Sequence, residues 1–176
     1  ILWRILSIDP KCAILLSEKI QTSRQFDKDS SDWGTSSLCK WLNTDFLNQT
    51  FNEKEIELLR QLDGNNLVTI PTKNDLMNYE YGFTSESTDI NRATGADSGF
   101  DNTTLDFDEN NLASYFTRTP WGDQTVSIVK STGTLGVNFV MRKGIGIRPM
   151  IGVDAENLFY VSGAGTKDNP YIVTVS

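Results

Sequence analysis

The chain has 176 residues, 38% of them hydrophobic and 22% charged, which fits one packed domain and excludes an intrinsically disordered chain. A net charge of −7 with scattered lysines and arginines argues against nucleic-acid binding, which needs a basic stripe. The apolar runs, such as Cys12 to Leu16, fall far short of the roughly 20 residues that span a bilayer, so no membrane insertion of this segment is expected. There is no histidine, which removes the commonest general base and transition-metal ligand.

Leu2 to Ile8 and Cys12 to Ser17 flank Asp9-Pro10-Lys11 and read as an antiparallel hairpin. Residues 18–35 read as loop. A helix follows, capped by Thr35 or Ser36, with Leu38, Trp41, Leu42 and Phe46 on one face. A second helix starts after Asn52, with Glu55 placed to complete a capping box; Ile56, Leu59 and Leu62 form its apolar side and Gly64 ends it. Leu67 to Ile70 reads as a short strand, and Thr72 as the cap of a third short helix carrying Leu76 and Tyr79.

Residues 82–111 form the longest irregular stretch, rich in Ser, Thr, Asn, Asp and Gly, and loops of that length usually carry function. Strands are then predicted at Ser114 to Thr117, Thr125 to Val129, Gly136 to Met141 and Ile145 to Ile151. A last pair, Leu158 to Val161 and Tyr171 to Val175, flanks a Gly-rich connection and reads as an appended hairpin. Helices in the first half and strands in the second give an α+β class. The expected organisation is a domain over 1–155 and a hairpin appendage over 156–176. Because the chain begins at Ile1 inside an apolar run, it reads as part of a longer protein. Cys12 and Cys39 lie in strand-like and helix-like runs and are read as free thiols.

Two segments place an arginine inside an apolar strand-like run: Tyr115-Phe116-Thr117-Arg118-Thr119-Pro120 and Gly144-Ile145-Gly146-Ile147-Arg148-Pro149. With Trp3-Arg4-Ile5-Leu6 and the Trp33 to Asn43 segment, they resemble a large domain family of unknown function found in secreted and surface proteins of gut bacteria. Trp33 to Asn43 is similar to that family's Trp-x-x-Ser-x-Leu-Arg-x-Trp-Leu-Asn helix motif, with Cys39 where the motif has Arg. Tyr115 to Pro120 resembles its Trp-Trp-Leu-Arg-Ser-Pro motif, with Tyr115 and Phe116 replacing the tryptophans. The arginine motifs also resemble those of the C-type-lectin-like fold, which includes the formylglycine-generating (sulfatase-modifying) domains. The resemblance implies a loop-rich domain of that fold, an extracellular or cell-surface location, and structural roles for Trp3, Trp33, Trp41, Arg118 and Arg148.

Candidate ligand-binding residues lie on the loops. Trp121 follows Pro120 and precedes Gly122-Asp123, so it belongs at a strand-end turn. An exposed Trp121 beside Asp123 can stack on a sugar ring and bond its hydroxyls; the alternative is a partly buried plug. Asp97 and Asp101 open an acidic run, continued by Asp106, Asp108 and Glu109, that offers carboxylates to a ligand. Its spacing lacks the glycine and glutamate of an EF-hand, so no metal and no cofactor are assigned and a solvated loop is expected. Without histidine there is no Ser-His or Cys-His nucleophile, and both cysteines precede residue 40, unlike the reactive pair of formylglycine-generating domains. No catalytic residue is assigned. The expected function is a non-catalytic binding or adhesion module for a glycan or a surface protein. The alternatives are a spacer domain without a ligand and, behind it, an enzyme related to formylglycine-generating oxidases.

Overall fold

The computed structural model describes residues 1–97, 104–163 and 172–175. Among these residues the fold is α+β, with two five-stranded sheets, a separate two-stranded sheet and one substantial helix. The first sheet opens with the predicted hairpin, β1 (Trp3–Ile8) and β2 (Cys12–Ser17). Its turn is held by the Asp9 carboxylate, which accepts the amides of Lys11 (2.8 Å) and Cys12 (2.9 Å). The second sheet begins with β3 (Thr22–Ser23).

The helix spans 37–50 as one 14-residue unit: α1 (Ser37–Trp41), a π-helical turn (Leu42–Phe46) and α2 (Leu47–Thr50). Ser36 is its N-cap, accepting the Cys39 amide at 3.1 Å. Leu38, Leu42 and Phe46 are buried, as their spacing predicts, while Trp41 is half-buried. The π turn coincides with side chains that bond the helix's own carbonyls. Asn43 Nδ2 donates to Cys39 O (3.0 Å), Thr44 Oγ1 to Lys40 O (2.9 Å) and Asn48 Nδ2 to Thr44 O (2.8 Å). Such bonds loosen the backbone ladder.

α3 (Glu53–Leu58) starts on the predicted capping box, with both Asn52–Glu55 bonds formed. It ends six residues earlier than the Gly64 stop predicted from the sequence, because Leu59 and Arg60 become β4 (Leu59–Arg60) and pair with Val153 and Gly152. Sheet pairing and the Arg60–Asp154 ion pair override a modest helical propensity here. β5 (Val68–Thr69) follows. The expected third helix is two 3-10 turns, Asp75–Met77 and Tyr79–Tyr81, the first preceded by a reciprocal Thr72–Asp75 cap.

β6 (Tyr115–Gly122) runs five residues beyond the expected end at Thr117 and carries Pro120 at an irregularity of register, where a missing N–H is tolerated. A two-residue turn leads to β7 (Thr125–Val129), followed by β8 (Leu135–Phe139). The predicted strand from Ile145 to Ile151 is two strands. β9 (Gly146–Ile147) belongs to the second sheet and β10 (Met150–Asp154) to the first. Arg148-Pro149 is the step between them, and Pro149 cannot donate to a continuing ladder.

The strand orders are β1-β2-β10-β4, with β5 also on β10, and β3-β9-β6-β7-β8. All pairings in these sheets are antiparallel except β6 with β9. β11 (Leu158–Ser162) and β12 (Ile172–Val175) pair antiparallel as a sheet of their own.

Neighbouring strand residues divide between two cores. Phe116, Ile128 and Ile151 join a cluster with Phe26, Leu38, Leu42 and Phe46, on the helix side. Tyr115, Val129 and Met150 join one with Leu16, Leu76 and Phe83, on the side of the 3-10 turns. The alternation of strand side chains produces this sandwich of helix, sheets and loop layer. The free cysteines Cys12 and Cys39 do not pair.

Asn43 ties the helix to the first sheet. Its Oδ1 accepts the amides of Leu67 (2.9 Å) and Val68 (3.0 Å), and its Nδ2 also donates to Val68 O (2.8 Å). Asn43→Ala leaves these groups unpaired next to the core. We expect a loss of about 2–4 kcal/mol, read from the urea unfolding midpoint, at about 1 kcal/mol per lost bond.

Candidate functional site

A cleft of about 520 Å3, open to solvent, lies between the segment 30–33 and the end of β6. On one wall the 3-10 turn Trp33–Thr35 is capped by Asp32, whose carboxylate accepts the Gly34 amide (3.1 Å) and the Thr35 hydroxyl (2.9 Å). That carboxylate is therefore committed to its own turn. Trp33 is only 7% exposed and packs on Phe26 at 5.7 Å between ring centroids, yet its Nε1 is buried without a partner among the described residues.

The opposite wall is Arg118, Pro120 and Asp123. Arg118 is rigidly placed: Nε donates to Ile70 O (3.1 Å), Nη1 pairs with Asp63 (3.2 Å), and its amide bonds Pro71 O (3.0 Å). Asp123 sits in the β6–β7 turn. Its carbonyl accepts the Ser31 amide at 2.9 Å, which joins the two walls, and its side chain is exposed. The cleft thus offers one anchored guanidinium, one exposed carboxylate and the hydroxyls of Ser30 and Ser31. These groups can donate to and accept from a polyhydroxylated or peptide ligand.

Trp121 is 67% exposed at the end of β6. It adjoins the cleft in sequence but does not line it; Pro120 and Asp123 do. Asp97 is half-buried elsewhere, its amide bonded to Ile20 O at 2.7 Å, so it does not join Asp123. Asp101 lies outside the described residues. Asp106 pairs with Arg142 at 2.9 Å, and Asp108 Oδ1 accepts the amides of Asn110 (2.9 Å) and Leu112 (3.0 Å). No group of three acidic, cysteine or histidine side chains able to hold a metal exists among the described residues.

The aromatic motif residues differ in depth. Trp33 is buried, whereas Trp3 and Trp41 are half-buried at the edge of the core, where Trp3 stacks on Phe51 and Trp41 tilts over Phe46. Arg148 is 1% exposed and satisfies its donors on Ser17 O (2.7 Å) and the Tyr115 hydroxyl (3.2 Å). Burial pushes the Tyr115 phenol up, against the pull of Arg148 and two further arginines.

The long loop holds a residue that the sequence reading passed over. Arg92 is fully buried and donates to the carbonyls of Leu76 (2.6 Å), Glu86 (2.9 Å), Gly133 (3.2 Å) and Thr84. It organises the stretch 84–92 from within. Only its place beside Asp89, a capping residue of the 3-10 turn Ile90–Arg92, hints at this in the sequence. Gly133 has φ of +80°, and a Cβ there would run into the Asp89 carbonyl.

Residues 11–155 match the family described as a domain of unknown function (DUF6273), and the chain belongs to that family. No curated protein and no solved structure matches it.

The loop has an acid limit. Burial raises the Asp89 carboxyl, but the amides of Asn91 (2.9 Å) and Thr84 (2.7 Å) and the Arg92 charge outweigh it and hold it below the ordinary value of 3.8. A depressed carboxyl contributes stability above 3.8 that is lost as pH falls through its lower folded value. Asp89→Asn should lower the urea midpoint at neutral pH and flatten its fall on the acid side. An unchanged acid limb would remove Asp89 from that role.

Proposed function

We propose that this chain is a non-catalytic binding module of an extracellular or cell-surface bacterial protein, recognising a glycan or a protein surface through the first cleft and the turn beside it. The observation that carries the reading is an anchored Arg118 and an exposed Asp123 on one wall of an open cleft, next in sequence to an exposed Trp121. A guanidinium, a carboxylate and a flat indole are the groups that recognise hydroxyls and ring faces. The surrounding strands hold these groups at fixed spacing, so little ordering is required when a ligand arrives.

The chemistry of the remaining groups supports binding over catalysis. The chain has no histidine to activate Ser30 or Ser31. The Cys39 thiol is buried in the helix side of the core, and desolvation pushes it up, away from thiolate chemistry. The α+β layout, with motif arginines Arg148 buried and Arg118 part-buried, is compatible with the C-type-lectin-like fold, which we propose as its fold family. No helix among the described residues is long and apolar enough to cross a membrane.

The test is a glycan array of host and bacterial sugars, probed with the purified protein in calcium-containing buffer. Trp121→Ala and Asp123→Asn should each weaken a hit by about tenfold, the loss of one stacking contact or one charge-assisted hydrogen bond. A hit unaffected by both variants moves the site elsewhere. A blank array followed by an empty pull-down against surface proteins favours the spacer reading.

A further inference from the structure

A second cleft, of about 330 Å3, lies where the end of β3 meets the start of the helix and the end of the long loop. Its described lining is Ser23, Arg24, Gln25, Ser37, Thr104 and Lys143. Two cations and three hydroxyl-bearing residues line it, with no acidic side chain among the described lining residues. In a chain of net charge −7 this is a local inversion of the surface.

Among the described residues neither Arg24 nor Lys143 has a carboxylate within ion-pair distance. The Arg24 guanidinium lies 4.5 Å above the centroid of the Trp41 ring. This cation–π contact anchors the guanidinium, whose forked donors suit bidentate oxygen acceptors. Two acids close in sequence to the lining residues already have partners. Asp27 accepts the amides of Ser37 (2.7 Å), Asp29 (3.2 Å) and Ser30 (3.4 Å), and Asp106 pairs with Arg142.

Ser23 Oγ is buried and has no hydrogen-bond partner among the described residues. Gln25 is fixed nearby, its Nε2 donating to Met141 O at 2.5 Å.

We propose that this second cleft binds an oxyanion, a sulfate, phosphate or carboxylate group, held by Arg24 and Lys143 beside Thr104. The site is independent of the first cleft, which carries an exposed carboxylate and suits neutral hydroxyls.

The experiment is a two-dimensional amide and indole NMR titration of the whole chain with sodium sulfate, sodium phosphate and sodium acetate in separate arms, against sodium chloride at matched ionic strength. At least one oxyanion should give saturable shifts confined to Ser23, Arg24, Ser37, Lys143 and the Trp41 indole. The arm that saturates at the lowest concentration identifies the group. Arg24→Gln with Lys143→Gln should weaken it by about tenfold or more, the loss of charge-assisted bonds. Both residues are exposed, so the unperturbed spectrum of the variant checks its fold. Shifts that chloride reproduces, that never saturate, or that persist in the double variant would overturn the site.

Discussion

A relay of buried donors and acceptors holds the layers of this molecule together. Arg148 stands at the step between the two sheets and donates to Ser17 O on one side and the Tyr115 hydroxyl on the other. Tyr115 in turn donates to Arg92 O at 3.0 Å, and Arg92 spreads its guanidinium over the carbonyls of the loop layer. Removing a guanidinium from water is costly, and no carboxylate pairs with either arginine among these bonds. Convergent carbonyls compensate instead, and a guanidinium can satisfy several at once because its donors form a rigid fork. Neither sheet nor loop can shift alone without stranding a buried donor.

That constraint explains where the clefts are. The relay fixes the crossing of β9 and β10, and β9 lies between β3 and β6. β3 leads into the segment that contributes to both clefts, and β6 ends at the wall of the first. The same 23–37 stretch therefore contributes to an anchored, mixed-charge surface and to a cationic one. Both surfaces are backed by the aromatic cluster of Phe26, Trp33 and Phe116, whose tilted and edge-on contacts give the loop a rigid floor.

Much of this was legible in the chain. Local signals were reliable where one residue does one job: the Asp9 turn, the Ser36 cap, the Asn52–Glu55 capping box, and the arginines set inside apolar runs. They failed where a distant partner decided the outcome. Leu59 has helical spacing with Ile56, yet β10 claims it as a strand. Ile145 to Ile151 looks like one strand, and only the two-sheet arrangement reveals a break at Arg148-Pro149. Arg92 sits in a polar, irregular stretch that gives no periodic hint of burial, because its partners are carbonyls supplied by three separate segments. For the site, the sequence put Trp121 at a strand end but left an exposed ring and a partly buried plug as alternatives, and only the structure shows the ring exposed. Asp97 could not be placed from spacing alone, and the second cleft assembles from residues far apart in sequence.

The pairing of β2 with β10 has a consequence for how the protein is made. β10 lies between β2 and the short strands β4 and β5, and Leu16 faces Met150 across most of the chain. The first hairpin thus leaves the ribosome long before its central neighbour exists, with one edge of β2 unpaired throughout synthesis. Such non-local closure makes folding slow and late, with the first sheet completed only after Asp154 has emerged. The Asp9 turn and the Arg4–Glu18 pair, at 2.7 Å, link residues close in sequence and can form early. They keep the nascent hairpin in register while it waits.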